Sequence, residues 1–260
     1  MRCTIDSLTF ALLDDITLGI QSKALEATNL PRVTAEDLGP LIELKHIGLI
    51  EPPADWLHAG RHAALLHGVT NGGKWFSRAG RQGFVSVSAI QGNYSNWTDF
   101  AMRAKRAALE SGFADDPAGQ LVAAMGELHT NIVEHSEHEY SGYLVFDATP
   151  KRFEFVVADE GIGVLQSLRT HPHFSHVKDS GSALELALTE GVSRLYDHKD
   201  RGRGFRPIFV GLANASNHIR FRSADHSREI VRTHDGRLLA TTHQRGSLKG
   251  FLCSTLCEAQ

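Results

Sequence analysis

A run of apolar residues at helical spacing, followed by two strand-like runs and a tight turn, constrains this chain more than any other feature. Leu121, Val122, Met125, Leu128, Ile132 and Val133 mark the buried side of a helix that Asp115-Asp116-Pro117 can start. Residues 142–149 and 152–158 then read as strands joined at Thr149-Pro150-Lys151. Upstream, Phe84-Val85-Ser86-Val87-Ser88-Ala89-Ile90 alternates like a strand with one buried face. Asn93, Ser95 and Asn96 offer caps for a helix through Phe100, Ala104, Ala108 and Leu109, broken at Ser111-Gly112. Downstream, the spacing predicts a short helix over 183–188, a helix over about 205–216, and strands near 218–222, 229–233, 237–242 and 251–256. Helices on one side of a mixed, mostly antiparallel sheet predict an α/β sandwich of two layers.

Three polar segments are threaded through this frame. The first, Gly126-Glu127-Leu128-His129-Thr130-Asn131-Ile132-Val133-Glu134-His135, lies on the long helix. Glu127, Asn131 and His135 recur every four residues, so each sits about 40° round from the last, on one narrow face. Such a stripe can face a ligand or simply solvent. The second segment, Val157-Ala158-Asp159-Glu160-Gly161-Ile162-Gly163, ends a strand. A carboxylate there can accept a base amine while glycines let the backbone approach; alone, the pattern is also a common turn. The third, Arg201-Gly202-Arg203-Gly204-Phe205, opens an apolar helix, where backbone N–H groups and the helix dipole favour phosphate. Lys199 and Arg206 add charge at the same place.

In this order, the segments resemble the three nucleotide-binding boxes of the GHKL superfamily, which includes gyrase, histidine kinases and MutL. The resemblance covers about residues 83–257 and is closest to the anti-sigma-factor serine kinases and their stand-alone bacterial relatives. It implies the Bergerat ATP-binding fold, with ATP and Mg²⁺ as cofactors. It further implies that Asn131 holds Mg²⁺ and that Glu127 orients or deprotonates the attacking water or hydroxyl. His135 would approach the phosphates, Asp159 would accept the adenine amine beside Gly161 and Gly163, and Arg201, Gly202, Arg203 and Gly204 would cradle phosphate. Residues 182–193 resemble the helix and turn leading into the family's lid. Gly246-Ser247 resembles the Gly-Thr that closes the pocket, with Ser247 keeping a hydroxyl; Gly250-Phe251 is a rival alignment without one. The third box departs from many histidine kinases in having Arg206 where they carry a further glycine, followed by Pro207.

Residues 1–82 carry no such motif and read as an N-terminal extension or small domain ahead of the nucleotide domain at 83–260. Pro31, Gly39, Pro40 and Glu51-Pro52-Pro53 interrupt its helical spacing, and Trp56, Ala59, Ala63 and Leu66 predict a helix over 56–69. At 260 residues, 42% hydrophobic and 22% charged, the chain can bury a real core. A net charge of −3 gives no bulk attraction to nucleic acid or anionic membrane. Cys3, Cys253 and Cys257 are too few for a disulfide framework. Asp6, Asp14 and Asp15 stand where a signal peptide needs a basic start and an apolar run, and no run reaches the ~20 apolar residues of a membrane span. The expectation is a cytoplasmic protein. His171, His173 and His176 could bind zinc with Asp179, but they lie in a stretch with no regular element to fix three rings. The functional expectation is an Mg-ATP-dependent kinase of the anti-sigma type, acting on Ser or Thr of a partner protein. The alternative is an ATP-driven conformational switch or slow ATPase controlling a protein interface. A homodimer remains open under both.

Overall fold

The structure, a computed structural model, describes residues 6–26, 30–49, 55–138, 140–188, 212 and 216–259. The described residues begin with β1 (Asp6–Ser7), α1 (Phe10–Gln21), β2 (Val33–Thr34), α2 (Leu38–His46) and β3 (Leu57–His58). The three short strands form a parallel sheet in the order β1-β2-β3. A 3-10 turn over Gly60–His62 leads to α3 (Ala63–Asn71). The helix expected over 56–69 therefore starts at Ala63, because Gly60 sits at φ +51° and the residues before it pair as β3. Pro40 does not stop α2, since it falls in the first turn, where its missing N–H would have no partner anyway.

The rest of the chain runs β4 (Lys74–Phe76), β5 (Gln82–Ser86), α4 (Val87–Gly92), α5 (Ser95–Glu110), α6 (Asp115–His135), β6 (Tyr143–Thr149), β7 (Arg152–Asp159), α7 (Gly163–Arg169), α8 (Ser180–Ala187), β8 (Ser216–Arg232) and β9 (Leu238–Glu258). Its sheet has the order β4-β5-β6-β7-β9-β8, with every neighbouring pair antiparallel. The strand expected over 84–90 ends at Ser86, whose Oγ accepts the Ala89 N–H and caps α4. The expected helix over 205–216 lies largely outside the described residues.

One face of the sheet carries Phe153, Phe155 and Val157, packed under α5, α6, α7 and α8 with Phe100, Leu121, Met125 and Leu128. This is the two-layer α/β sandwich that the pattern predicts. The opposite face is also covered. Val145, Val156, Ala158 and Leu252 pack there against Leu38, Ile42 and Leu65 of the N-terminal segment. That segment has a small apolar core of its own around Leu8, Leu13, Val33, Leu41 and Leu44. It is an extension laid on the sheet, and the main sheet itself begins before residue 83, with β4.

Four late strands were expected where the structure has two long ones, and these fold back on themselves. Arg232 Nε donates to Ser216 O at 3.4 Å, although the residues are 16 positions apart in β8. A straight strand of that length would span about 50 Å. The bend falls at the register shifts around Ser223, Ala224 and His226. It brings Glu229 to Arg220, where Oε1 accepts from Nη1 at 2.6 Å.

Charged groups anchor the extension to the back of the sheet. Arg220, with 0% of its side chain exposed, reaches Asp14 of α1 at 2.5 Å and Glu43 of α2 at 2.9 Å, with the Phe10 ring 4.7 Å from its guanidinium carbon. Arg222 adds a second guanidinium 3.3 Å from Glu43, and Arg245 sits 2.8 Å from Asp14. Burial works against the charge on Glu229, but the His218 ring, 3.4 Å from its Oε2, and the Arg220 guanidinium outweigh it and hold that carboxyl at about 2. Farther along, Glu154 Oε2 accepts the Leu38 N–H at 3.0 Å, meeting the positive end of α2. Asp147 is held by Arg61 at 2.5 Å and by the Gln82 amide at 2.8 Å.

Candidate functional site

Asp115 and Asp116 begin α6 where negative charge complements the helix dipole. Leu121, Met125, Leu128 and Ile132 bury one side of this helix. Glu127 stays exposed, and Asn131 and His135 are half-buried, all on a stripe beside the core face. Neither Glu127 nor Asn131 has a side-chain hydrogen bond to any described residue. Asn131 therefore offers an uncommitted amide oxygen. His129, one residue off that stripe, belongs to packing: its ring stacks on Trp97 of α5 at 5.6 Å and 9°. Burial holds His129 below the usual histidine range.

The first two segments meet directly. The Ile162 N–H donates to Ser136 O at 2.9 Å, just past the end of α6. A Cβ on Gly161 would lie 2.3 Å from that same oxygen, so only glycine fits. Asp159 closes β7 on the helix-covered face, in line with Phe153, Phe155 and Val157. It is 4% exposed. Its Oδ1 accepts the Gly161 N–H at 2.7 Å, and no cation pairs with it among the described residues. Burial raises its carboxyl to about 6, the Gly161 bond opposes this, and the charge of Glu160 adds to it. Gly163, at φ +73°, turns the chain into α7, whose Val164 N–H donates to Ser223 Oγ at 3.0 Å.

The register of β9 decides which glycine step lies beside Asp159. Asp159 pairs with Phe251, and a Cβ on Gly250 would lie 2.0 Å from Asp159 O. Ser247 is elsewhere: it is exposed, and its backbone is held by Gln21 of α1. The structure thus brings Gly250-Phe251, not Gly246-Ser247, to Asp159. In the next strand Ser223 supplies a hydroxyl, but it is committed to Val164 N–H and Gly250 O. Nothing in the local sequence could have revealed this, because the choice depends on a bulge in β9.

Arg201, Gly202, Arg203 and Gly204 lie outside the described residues. The helix expected to lead into them is α8, capped by Asp179 Oδ1 accepting the Ser182 N–H at 2.8 Å. The Asp179 carboxylate is thus used locally, as is His171 Nδ1, which accepts the His173 N–H at 3.2 Å. A groove of about 390 Å³ lined by Arg78, Asp99, Met102, Arg103 and Arg106 lies against α5, and none of the candidate residues borders it. Among the described residues no helix is long and apolar enough to cross a membrane.

The arrangement can do three things chemically. It presents a buried carboxylate, with no cation partner among the described residues, as a hydrogen-bond acceptor. It brings the backbone of Gly161 to that acceptor and the backbone of Gly250 to the Asp159 carbonyl, and it sets an uncommitted amide oxygen and a carboxylate one helical turn apart on α6. Mg²⁺ fits this donor set, since it accepts neutral amide oxygen alongside phosphate and water. No protein-family model, no curated protein and no solved structure matches this chain.

Proposed function

We propose that the chain binds Mg-ATP and acts as a regulatory protein of the histidine kinase-like ATPase type, transferring phosphate to Ser or Thr of a partner protein. One observation carries this reading. Asp159 is a carboxylate buried to 4% exposure with no cation beside it among the described residues, at the end of a strand and against Gly161 and Gly250. A group in that setting costs stability and is kept where a ligand completes it. An adenine amine is a neutral donor of the right kind.

Each residue then has a task. Asp159 accepts the exocyclic amine of the base, and Gly161 and Gly163 let the backbone lie against the ring. Asn131 offers its oxygen to the metal, and Glu127, one turn earlier on α6, takes the proton of the attacking hydroxyl. Mg-ATP, when bound, supplies the phosphoryl group and the charge that neutralises it. Arg201, Gly202, Arg203 and Gly204 are assigned to the phosphates by resemblance alone.

Calorimetric titration with ATP, with and without Mg²⁺, tests the reading. Asn131→Ala should lose affinity about tenfold or more with Mg²⁺ present and little in EDTA, since only the metal contact is removed. Equal losses in both media would remove Asn131 as the metal ligand. Glu127→Ala should leave ATP affinity within about twofold and lower turnover by roughly 10²–10⁴. Turnover equal to wild type would take the base role away from Glu127.

The second reading, a switch or slow ATPase, is favoured by the charged and apolar contacts that tie residues 6–71 to the back of the sheet. Label from γ-³²P-ATP distinguishes the two: transfer to a protein supports the kinase, and release only to water supports the switch.

A further inference from the structure

We propose that the N-terminal extension sets the geometry of the Asp159 loop through a bulge in β9, with Gln21 and His46 as positioning residues. The purpose assigned to this linkage rests on the nucleotide reading above; the contacts themselves do not.

In β9, Phe251 pairs with Ser223 while Leu248 pairs with Ala224, so Lys249 and Gly250 are extra residues with no partner across the ladder. A bulge of this kind lacks the ladder hydrogen bonds that would define it, and its shape is set by whatever holds it from outside. Here it is held on both sides.

The extension holds one side. Gln21, at the C-terminal end of α1, makes both bonds that a neighbouring strand would make to Ser247. Its Oε1 accepts the Ser247 N–H at 2.6 Å, and its Nε2 donates to Ser247 O at 3.0 Å. At the end of α2, His46 Nε2 lies 2.9 Å from Lys249 O, and its Nδ1 lies 3.1 Å from Tyr143 Oη. Burial keeps the Tyr143 phenol protonated, so Tyr143 donates to Nδ1 and His46 Nε2–H donates to Lys249 O.

The nucleotide loop lies on the other side. Gly250, at φ +72°, fits against Asp159 O, where a side chain would collide. Ser223 Oγ donates to Gly250 O at 3.1 Å and accepts the Val164 N–H at 3.0 Å. Lys249 Nζ is 3.3 Å from Glu160 Oε2, next to Asp159. A continuous set of contacts thus runs from α1 and α2 through the bulge to Asp159, Glu160 and Val164. Gln21 is exposed and has little packing to lose. Replacing it therefore removes the two hydrogen bonds to the bulge and little else.

Site-resolved hydrogen exchange of the full-length protein without nucleotide tests the linkage. Gln21→Ala should speed exchange of the Gly161 and Val164 amides about tenfold, since two bonds to the bulge are lost. The Phe155 and Val157 amides within β7 should keep their wild-type rates, which separates positioning from general destabilisation. Gln21→Glu keeps the acceptor for Ser247 N–H and should restore part of the protection. His46→Phe should act in the same direction as Gln21→Ala. Unchanged Gly161 and Val164 exchange in both Gln21→Ala and His46→Phe overturns the proposal. So does faster exchange accompanied by wild-type Mg-ATP affinity in a protein that binds ATP; a several-fold loss of affinity supports it. If the wild type binds no ATP, the nucleotide reading fails, and the exchange rates still decide the positioning claim.

Discussion

Asp159→Asn should abolish most of the ATP affinity and, at the same time, make the free protein more stable. The affinity loss follows from replacing a charged acceptor by a neutral amide whose free end can turn a donor towards the base amine. A hydrogen bond to a charged group is worth about 1.5–3 kcal/mol, so the loss should be roughly 10- to 100-fold. The stability gain follows from the raised carboxyl. In the folded state it titrates near 6, against 3.8 for the free side chain. The folded protein therefore binds this proton more tightly than the unfolded chain does. Stability is highest below 3.8, falls as pH rises towards 6, and carries the full penalty above that. A difference of about two units corresponds to roughly 3 kcal/mol as an upper figure, at 1.36 kcal/mol per unit. Asn at this position can still accept the Gly161 N–H and carries no charge, so the penalty disappears. Thermal unfolding at pH 7.5 without nucleotide should show a higher midpoint for the variant, and the difference should shrink towards pH 4. Wild-type ATP affinity should also fall as pH drops below about 6, while the variant stays flat. A variant that is less stable, yet binds ATP like wild type, would mean that Asp159 is a structural carboxylate.

Arg220→Ala should be the most damaging single substitution on the other side of the sheet. Its guanidinium is shared among Asp14, Glu43 and Glu229, at 2.5, 2.9 and 2.6 Å. Removing it leaves these carboxylates facing one another in a buried interface, with Arg222 and Arg245 as remaining cations. Breaking a buried ion pair from one side costs about 3–5 kcal/mol, a large part of the 5–15 kcal/mol that holds a typical domain. Urea unfolding of the variant should show that loss. Because α1 and α2 each contribute one of these carboxylates, protease cleavage should appear first within residues 6–49. A loss below about 1 kcal/mol would mean that water reaches the cluster and screens it.

The helix-then-hairpin frame was legible because its signals are local. Leu121, Met125, Leu128 and Ile132 lie three or four residues apart, and the Thr149-Pro150-Lys151 turn joins strands that are next to each other in the chain. The Asp159-Glu160-Gly161 step could be read in the same way, since its defining bond spans two residues. Ser86 shows the limit of such reading: alternation over 84–90 fits a strand, but a serine that caps the Ala89 N–H ends it and starts a helix. The glycine step beside Asp159 was not legible, because it depends on which residues of β9 are skipped when the hairpin bends. For the same reason Gly246-Ser247, the better match by residue type, lies away from the site.

The sequence by itself determined the two-layer sandwich and the candidate stripe on α6, because periodicity and turn chemistry act over a few residues. Only the tertiary structure decided what the described residues of the N-terminal segment do. They cover the second face of the sheet through contacts such as Arg220 to Asp14, 206 positions apart. No local pattern in residues 6–71 marks Asp14 and Glu43 as partners of β8. Buried charges are stable only where opposite charges meet, and the fold alone brings these together.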